Sequence, residues 1–561
     1  MNSAVLKNTA APEMPWLKSY PEGVAWDIQI PAVPLCAFLE RTVAKYGSHD
    51  AINFSGYNYT YDVLGSLVNR AAKGLQMLGV KKGVKVGLFM GNSAYSVVMY
   101  YAILKSGGTV VNYNPVYVES DLINQAEDSG TDILVTLDIP ALVEKATALL
   151  EKTRINKMII CPAKQNMGVT TKTLELPQAG DSAVWFCDLI ANEGKPAAFP
   201  VDVDRDIAVL QYTGGTTGTP KAAALTHKNV AANAMQIGAW YHDAVDGEDS
   251  MVAVLPLFHV FAMTVLMNMP ILRGMKIFIM PQFDMKEMLN LIQTEKPSYM
   301  AAVPTIYMAL ANYDKISDYD FSSLKFGLSG GAPLPAEVKS SFEKRTGMKL
   351  VAEGYGLTES SPVATCNPLS ARARAGSIGL PVPGTVVEIV SLEDGVTVMK
   401  PGEKGELCVR GPQVMQGYYN KPEETAKVIR NGRLHTGDVG YMDASGFVYI
   451  VDRIKDMILV SGYNVYPRHV EEAIYSHPAV KECIVAGVPD KLRGEAVYAW
   501  VKPVDGNPLD ANTLRAFLQD KLSPIEMPRK IIVREEPLPK TAVGKLSKKD
   551  LLAQEGYLKK V

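Results

Sequence analysis

Ile207-Ala-Val-Leu-Gln-Tyr-Thr-Gly-Gly-Thr-Thr-Gly-Thr-Pro-Lys221 decides the reading of this chain. The apolar run Ile207–Leu210 predicts a buried strand, and the residues from Tyr212 to Lys221 predict a tight loop at its end. Gly214, Gly215 and Gly218 let backbone N–H groups approach an anion with no Cβ in the way. Thr213, Thr216 and Thr217 add hydroxyl donors and Lys221 adds a cation, so the loop suits a phosphate. It is not a Walker A loop: two residues separate Gly218 from Lys221, and no Ser or Thr follows the lysine.

Around this loop, short apolar or β-branched runs (Lys85–Met90, Thr109–Asn112, Ile133–Leu137, Met158–Ile160) alternate with helical stretches. One helix is predicted from Leu35, with Phe38, Leu39 and Val43 on one face. A second is predicted over Asp62–Leu78, with Leu64, Leu67, Ala71 and Leu75 at three- and four-residue spacing. Such alternation predicts an α/β fold of parallel and mixed sheets with packed helices. Residues 373–451 change character: Gly-rich turns separate short strands such as Val386–Val390, Glu406–Val409 and Phe447–Val451. The expected organisation is a large N-terminal domain over 1–452, with 373–451 as a β-rich subdomain. A small α+β domain over 456–561 follows.

The 561 residues suffice for several domains. Lys+Arg number 57 against 59 Asp+Glu, and so balanced a chain is not expected to bind nucleic acid. Six cysteines without CxxC spacing support neither a zinc site nor a disulfide framework. With no secretory signal read at the N-terminus, the expected compartment is a reducing cytoplasm. The 22 residues Met251–Leu272 carry no formal charge and could span a bilayer core. Pro256, Pro270, His259 and Asn268 within them predict a buried strand–turn–helix instead. Residues 521–561 hold ten Lys+Arg and five Asp+Glu, either a solvated basic face or a surface that meets a polyanion or an anionic membrane.

Further motifs follow the phosphate loop in order: Ser329-Gly-Gly-Ala-Pro-Leu-Pro335, Glu353-Gly-Tyr-Gly-Leu-Thr-Glu359, Leu434-His-Thr-Gly-Asp438, Asp452-Arg453, Ser461-Gly-Tyr-Asn-Val-Tyr-Pro467 and Leu538-Pro-Lys-Thr-Ala-Val-Gly-Lys545. Together they resemble the signatures of the adenylate-forming enzymes, which include acyl-CoA synthetases, peptide synthetase adenylation domains and luciferases. Lys105-Ser-Gly-Gly to Asn114-Pro is similar to an early segment of that superfamily. Gly214 stands where the family loop has serine, and Ala222 where it has glycine after the lysine.

The resemblance implies roles for individual residues. Gly330, Gly331, Ala332 and Pro333 would line an adenine pocket, with Tyr355 stacked on the base and Gly356 beside it. Thr358 would contact the α-phosphate and Glu359 would hold Mg²⁺, which favours carboxylate oxygens and phosphates. Asp438 would accept from the ribose hydroxyls, with Arg453 also at the ribose. Lys455 would mark a hinge at 453–455 about which the small C-terminal domain is mobile, and Gly462 would leave a thiol channel open. Lys545 would be the catalytic lysine, selected by its place in the motif and not by its charge. His259, in Pro256-Leu-Phe-His259, is either an acyl-pocket residue or a satisfied core histidine. Met263, Met267 and Met269 are either flexible pocket walls or ordinary core.

With no carrier domain before Val561, free CoA is the expected acceptor. Asn431 to Asp438, Ser377-Ile-Gly-Leu-Pro-Val-Pro and Gly214 look most like bacterial long-chain fatty acyl-CoA synthetases, although Arg433 stands where that signature has Trp. The expected activity is ATP- and Mg²⁺-dependent formation of acyl-AMP and pyrophosphate, then transfer to CoA with release of AMP. A medium-chain or aryl-CoA ligase, or a fatty acyl-AMP ligase, shares every motif. A catalytically silent nucleotide-binding scaffold is the alternative of another class. Peripheral contact with the cytoplasmic membrane face is expected; the oligomeric state stays open, a homodimer included.

Overall fold

The computed structural model describes residues 14–163, 167, 182–213, 220–348, 350–370, 372–490, 492–541 and 544–557. Two large sheets form the bulk of the chain. The first has eight strands in the order Gly417–Tyr418, Lys221–Thr226, Ile207–Thr213, Thr109–Asn112, Lys85–Phe89, Ile133–Leu137, Lys157–Cys161 and Ala183–Trp185. From Ile207–Thr213 through Ala183–Trp185 all neighbours are parallel, and these strands are near-continuous apolar runs because both faces are covered. The second sheet has nine strands, with Phe326–Gly330 and Val351–Gly356 adjacent and parallel near one edge.

Helices Ala94–Ser106 and His227–Trp240 tie the two sheets together. Every residue of the first except Lys105 is buried, and it packs on strands of both sheets. A helix apolar on all sides belongs inside. The second helix packs on Ile207–Thr213 and Lys221–Thr226, and its Asn233 reaches across to the other sheet. There the Asn233 amide accepts from the Val363 N–H (2.9 Å) and donates to the Val363 carbonyl (2.8 Å).

The predicted elements fall close to place. The first amphipathic helix is Ala37–Tyr46 and the second Tyr61–Met77; Thr109–Asn112, Ile133–Leu137 and Val386–Val390 match to the residue. The run at Ile207 continues as strand to Thr213, because Tyr212 and Thr213 pair with Ala222 and Lys221 across a hairpin. The uncharged stretch from Met251 is strand Ser250–Ala253, a turn, then short helical pieces that include a π-helix over Met263–Asn268. Among the described residues no helix is long and apolar enough to cross a membrane.

A third sheet gathers Val386–Val390, Gly405–Arg410, Arg433–Met442 and Ile429–Arg430, with Val448–Arg453 on Arg433–Met442. A fourth holds Tyr463–Val465, Ile458–Val460, Gly494–Pro503 and Val480–Asp490, with Lys530–Val533 on Gly494–Pro503. Three sheets therefore belong to the larger N-terminal portion of the chain, and the fourth to the smaller C-terminal portion.

Asn233→Ala leaves the Val363 N–H without its side-chain acceptor inside the core. We expect a loss of about 2–4 kcal/mol from the unpaired groups and the small void. Thermal and urea melts of the purified variant check this, with an unchanged midpoint as the contrary result.

Candidate functional site

The phosphate loop joins two antiparallel strands of the first sheet. Thr213 and Lys221 close its base in register, and the Thr213 Oγ1 donates to the Lys221 carbonyl at 3.4 Å. Gly214, Gly215, Thr216, Thr217 and Gly218 lie outside the described residues. Lys221 forms an ion pair with Glu424, and its Nζ sits 5.3 Å from the centroid of the Tyr418 ring. The Tyr418 hydroxyl donates to Glu359 Oε1 at 2.6 Å. Tyr418 is fixed because Gly417–Tyr418 pairs with Lys221–Thr226. One aromatic ring therefore links the loop's lysine to the candidate metal-binding carboxylate.

Thr358 and Glu359 lie on a single 3-10 turn, Thr358–Ser360, packed against both strands that flank the loop. Gly356 ends the strand just before it. Glu359 is half-buried, and its backbone carbonyl accepts from the Met415 N–H at 2.8 Å. A fixed, partly open carboxylate beside a phosphate loop is the donor type that Mg²⁺ takes.

Across from this, strands Phe326–Gly330 and Val351–Gly356 end side by side, with Gly330 opposite Gly354. Gly331 follows at φ +86°, and a Cβ there would lie 2.9 Å from Lys545 Cε, so the lysine stem runs directly over glycine backbone. Ala332 is half-buried and Pro333 exposed; the loop is tied down where the Leu334 N–H donates to Glu353 (3.3 Å).

Tyr355 and Asp438, far apart in sequence, are bonded directly: the phenol donates to Asp438 Oδ2 at 2.5 Å. Arg453 Nε lies 3.0 Å from Asp438 Oδ1, and the two residues are register partners on adjacent strands. Burial and the nearby carboxylate push the Tyr355 phenol far up. Burial works against the Arg453 cation, but Asp438, Tyr355, Asp456 and Glu359 together outweigh it and the guanidinium is held more firmly charged. Each carboxylate oxygen has two lone pairs, so Asp438 retains acceptor capacity for a further hydroxyl.

Lys545 is held in a turn, its N–H donating to Thr541 Oγ1 (3.2 Å) and its carbonyl accepting from the Thr541 N–H (2.7 Å). Burial, helped by Arg453 and opposed by Asp438, lowers its ammonium to about 8. His259 is lowered further, to about 3, by burial and then by Lys545. Its Nδ1 accepts from the Phe261 N–H at 3.3 Å, so His259 is neutral with its proton on Nε2. The histidine, the lysine, Arg453 and Asp438 thus share one electrostatic neighbourhood.

Lys455 follows in the turn Ile454–Asp456, lowered by burial and by Arg453. Gly462 occupies the exposed tip of the hairpin Ile458–Val460/Tyr463–Val465, where no atom comes within 4 Å of a Cβ position. The structure brings Lys545, not Gly462, to the site.

Sequence reasoning missed Tyr418, Glu424 and Glu406. Glu406 accepts from the Gly437 N–H (3.1 Å) and bonds His435 Nδ1 (2.7 Å), which fixes the turn just before Asp438. Cys408 lies 3.3 Å from the same nitrogen, but Arg430 also reaches it at 2.7 Å, and a guanidinium there opposes a metal ion. No local motif marks these residues; strand pairing places Tyr418 and Glu406, and the short helix Pro422–Val428 places Glu424.

The profile of the AMP-binding enzymes matches residues 39–419, and that of the AMP-binding enzyme C-terminal domain residues 469–545. The chain is 41% identical to a long-chain-fatty-acid–CoA ligase of Bacillus subtilis, over 97% of this chain and 98% of that protein. It is 37% identical to a long-chain-fatty-acid–CoA ligase of Escherichia coli O157:H7, over 96% and 97%. ATP-bound MatB from Rhodopseudomonas palustris superposes with a TM-score of 0.82 at 27% identity, over 93% of this chain and 99% of that one.

If the Lys545 cation is needed, activity must fall as pH rises through about 8, because the proton lost there is the lysine's. We expect kcat/KM for ATP to decline on that alkaline limb and Lys545→Arg to move the limb upward, since guanidinium stays charged. A limb that stays in place in the arginine variant would assign it to another group.

Proposed function

The chain belongs to the AMP-binding enzyme family and is an AMP-forming acyl-CoA ligase that binds ATP, and we propose that its acid is a long-chain fatty acid. The observation that carries the catalytic reading is Lys545 lying over Gly331, beside the Asp438–Arg453 pair. In the first step the fatty carboxylate attacks the α-phosphorus of ATP and pyrophosphate leaves. Lys545, still mostly protonated at neutral pH, lies between two anions there and offsets the charge that develops. Thr358 donates to the α-phosphate. Asp438 accepts from the ribose, Tyr355 offers its ring to the adenine, and Gly330 to Pro333 form the wall. The loop from Thr213 to Lys221 cradles the outer phosphates once Lys221 exchanges Glu424 for them. Mg²⁺, held by Glu359, would neutralise phosphate charge.

In the second step the CoA thiol gives up its proton to water and attacks the acyl carbonyl, a thioester forms, and the acyl–oxygen bond breaks with its pair leaving on AMP. For that step the C-terminal portion turns about 453–455, which withdraws Lys545 and brings the Gly462 hairpin to the site. His259 is a neutral pocket residue and transfers no proton. We place the enzyme in the cytoplasm, with the basic segment 521–561 in peripheral contact with an anionic membrane face.

Acyl-AMP formation in Lys545→Ala should fall by about a hundredfold or more, by analogy with removal of one transition-state donor. Thioester formation from supplied acyl-AMP should remain nearly intact. Lys455→Pro should do the reverse, because proline fixes φ at the hinge. Equal loss in both half-reactions would sink the two-state reading. The acid is tested by AMP release with acetate, octanoate, oleate and benzoate, with and without CoA. CoA-dependent turnover greatest with oleate is expected; a maximum at benzoate, or indifference to CoA, would overturn the assignment.

A further inference from the structure

A cavity of about 230 Å³ lies away from Lys545, between helices Ala37–Tyr46, Tyr61–Met77 and Ala94–Ser106. Leu39, Val43, Gly65, Val68 and Tyr101 line it, and the Lys105–Glu40 ion pair (2.7 Å) stands at its rim. A second, much smaller space of about 10 Å³ involves the neighbouring Tyr100, with Met90, Asn112, Phe258 and Met267 among its walls. It adjoins His259 through Phe258, and it adjoins the phosphate-loop strand through Asn112, whose amide donates to Gln211 at 2.8 Å.

The walls of the two spaces are linked by polar groups. Tyr100 and Tyr101 are consecutive, each facing one cavity, with ring centroids 5.3 Å apart. The Tyr101 hydroxyl donates to Asn268 Oδ1 at 2.7 Å, and Asn268 Nδ2 donates to the Tyr100 hydroxyl at 3.2 Å. All three side chains are buried in apolar surroundings, where polar groups survive only when bonded. Asn268 closes the π-helix Met263–Asn268, a backbone irregularity that recurs at functional sites.

We propose that the two spaces are the near and far ends of one acyl channel, and that the Tyr101–Asn268 bond is its internal length gate. The inference rests on the fatty-acid reading above. Short acids end on the Lys545 side with the bond intact. Longer acids displace the Tyr101 side chain and place their methyl end in the distal cavity. At about 230 Å³ that cavity lies below the roughly 300–1,000 Å³ of pockets that take a whole small ligand, so the end of a chain suits it better. Met90 and Met267, unbranched and flexible, let the near end open around a chain.

The test compares kcat/KM for octanoate, myristate, palmitate and oleate in the wild type, Val43→Phe and Tyr101→Phe. Val43→Phe fills the distal cavity. It should cut oleate and palmitate by about tenfold or more and leave octanoate nearly unchanged, since even one misplaced methylene in an apolar pocket costs about 10–200-fold. Tyr101→Phe keeps the ring and loses the bond, so the ratio of oleate to octanoate should rise. Parallel profiles in all three proteins would overturn the gate. As a readout independent of folding, a long-chain acid with a diazirine at its terminal carbon should label peptides from 37–46 or 61–77 of the wild type. Labelling confined to other peptides would also overturn it. A wild type that turns over no fatty acid would instead overturn the fatty-acid reading on which the gate rests.

Discussion

The buried carboxylate of Asp438 is the joint on which the site depends. It belongs to the third sheet, yet its partners are Tyr355 at the tip of the nine-stranded sheet and Arg453 at the last strand before the C-terminal portion. A carboxylate taken out of water is costly unless its oxygens are bonded. Here the phenol and the guanidinium supply those bonds, so the nine-stranded sheet and the third sheet are held in one geometry by a single charge. The exposed side of Arg453 adds little by itself, as exposed ion pairs do. The buried side matters, because removing either partner leaves a charge without compensation. Glu406 reinforces the same point from behind by fixing the turn at Gly437.

The same burial that makes Asp438 a strong acceptor makes Lys545 a poised cation. An exposed lysine would be charged at any physiological pH and strongly hydrated, whereas one lowered to about 8 has given up some of its water shell. Its charge acts in a less polar medium, where an interaction with phosphate is worth more. His259, neutral beside it, adds no competing positive charge. At the loop's other end Lys221 is held by Glu424 and Tyr418, so its position is set before any phosphate arrives.

Much of the fold was legible because parallel strands covered on both faces are plain apolar runs; Ile133–Leu137 could be read to the residue. Amphipathic helices such as Tyr61–Met77 were legible for the complementary reason, a one-sided stripe. Helices Ala94–Ser106 and His227–Trp240 were not singled out, since burial on nearly every side erases the stripe. Site residues inside motifs were legible as types and places: Lys545, Glu359, Asp438 and Arg453 could be named because their motifs resemble those of the adenylate-forming enzymes. Their pairings could not. That Tyr355 spends its hydroxyl on Asp438 follows from how two separate sheets meet, and that Tyr418 bridges Lys221 and Glu359 follows from the pairing of Gly417–Tyr418 with a strand far earlier in the chain.

The proposed rotation has a physical basis in how the apolar cores are partitioned. The main buried cluster runs from Trp16 to Val448, and two separate clusters lie within Ile458 to Leu551. No described apolar core is shared across 453–455. Contacts across that boundary are of another kind: the Arg468 N–H on Asp452 (2.7 Å), Lys404 over the Tyr466 ring (5.1 Å), and Lys545 on glycine backbone. Water can replace polar contacts at small net cost, whereas tearing an apolar core costs about 25 cal/mol for each Å² exposed. A C-terminal portion with its own core can therefore present one face and then another to the same site without unfolding either side. A lysine that must act in one half of a reaction and leave in the other belongs on such a unit.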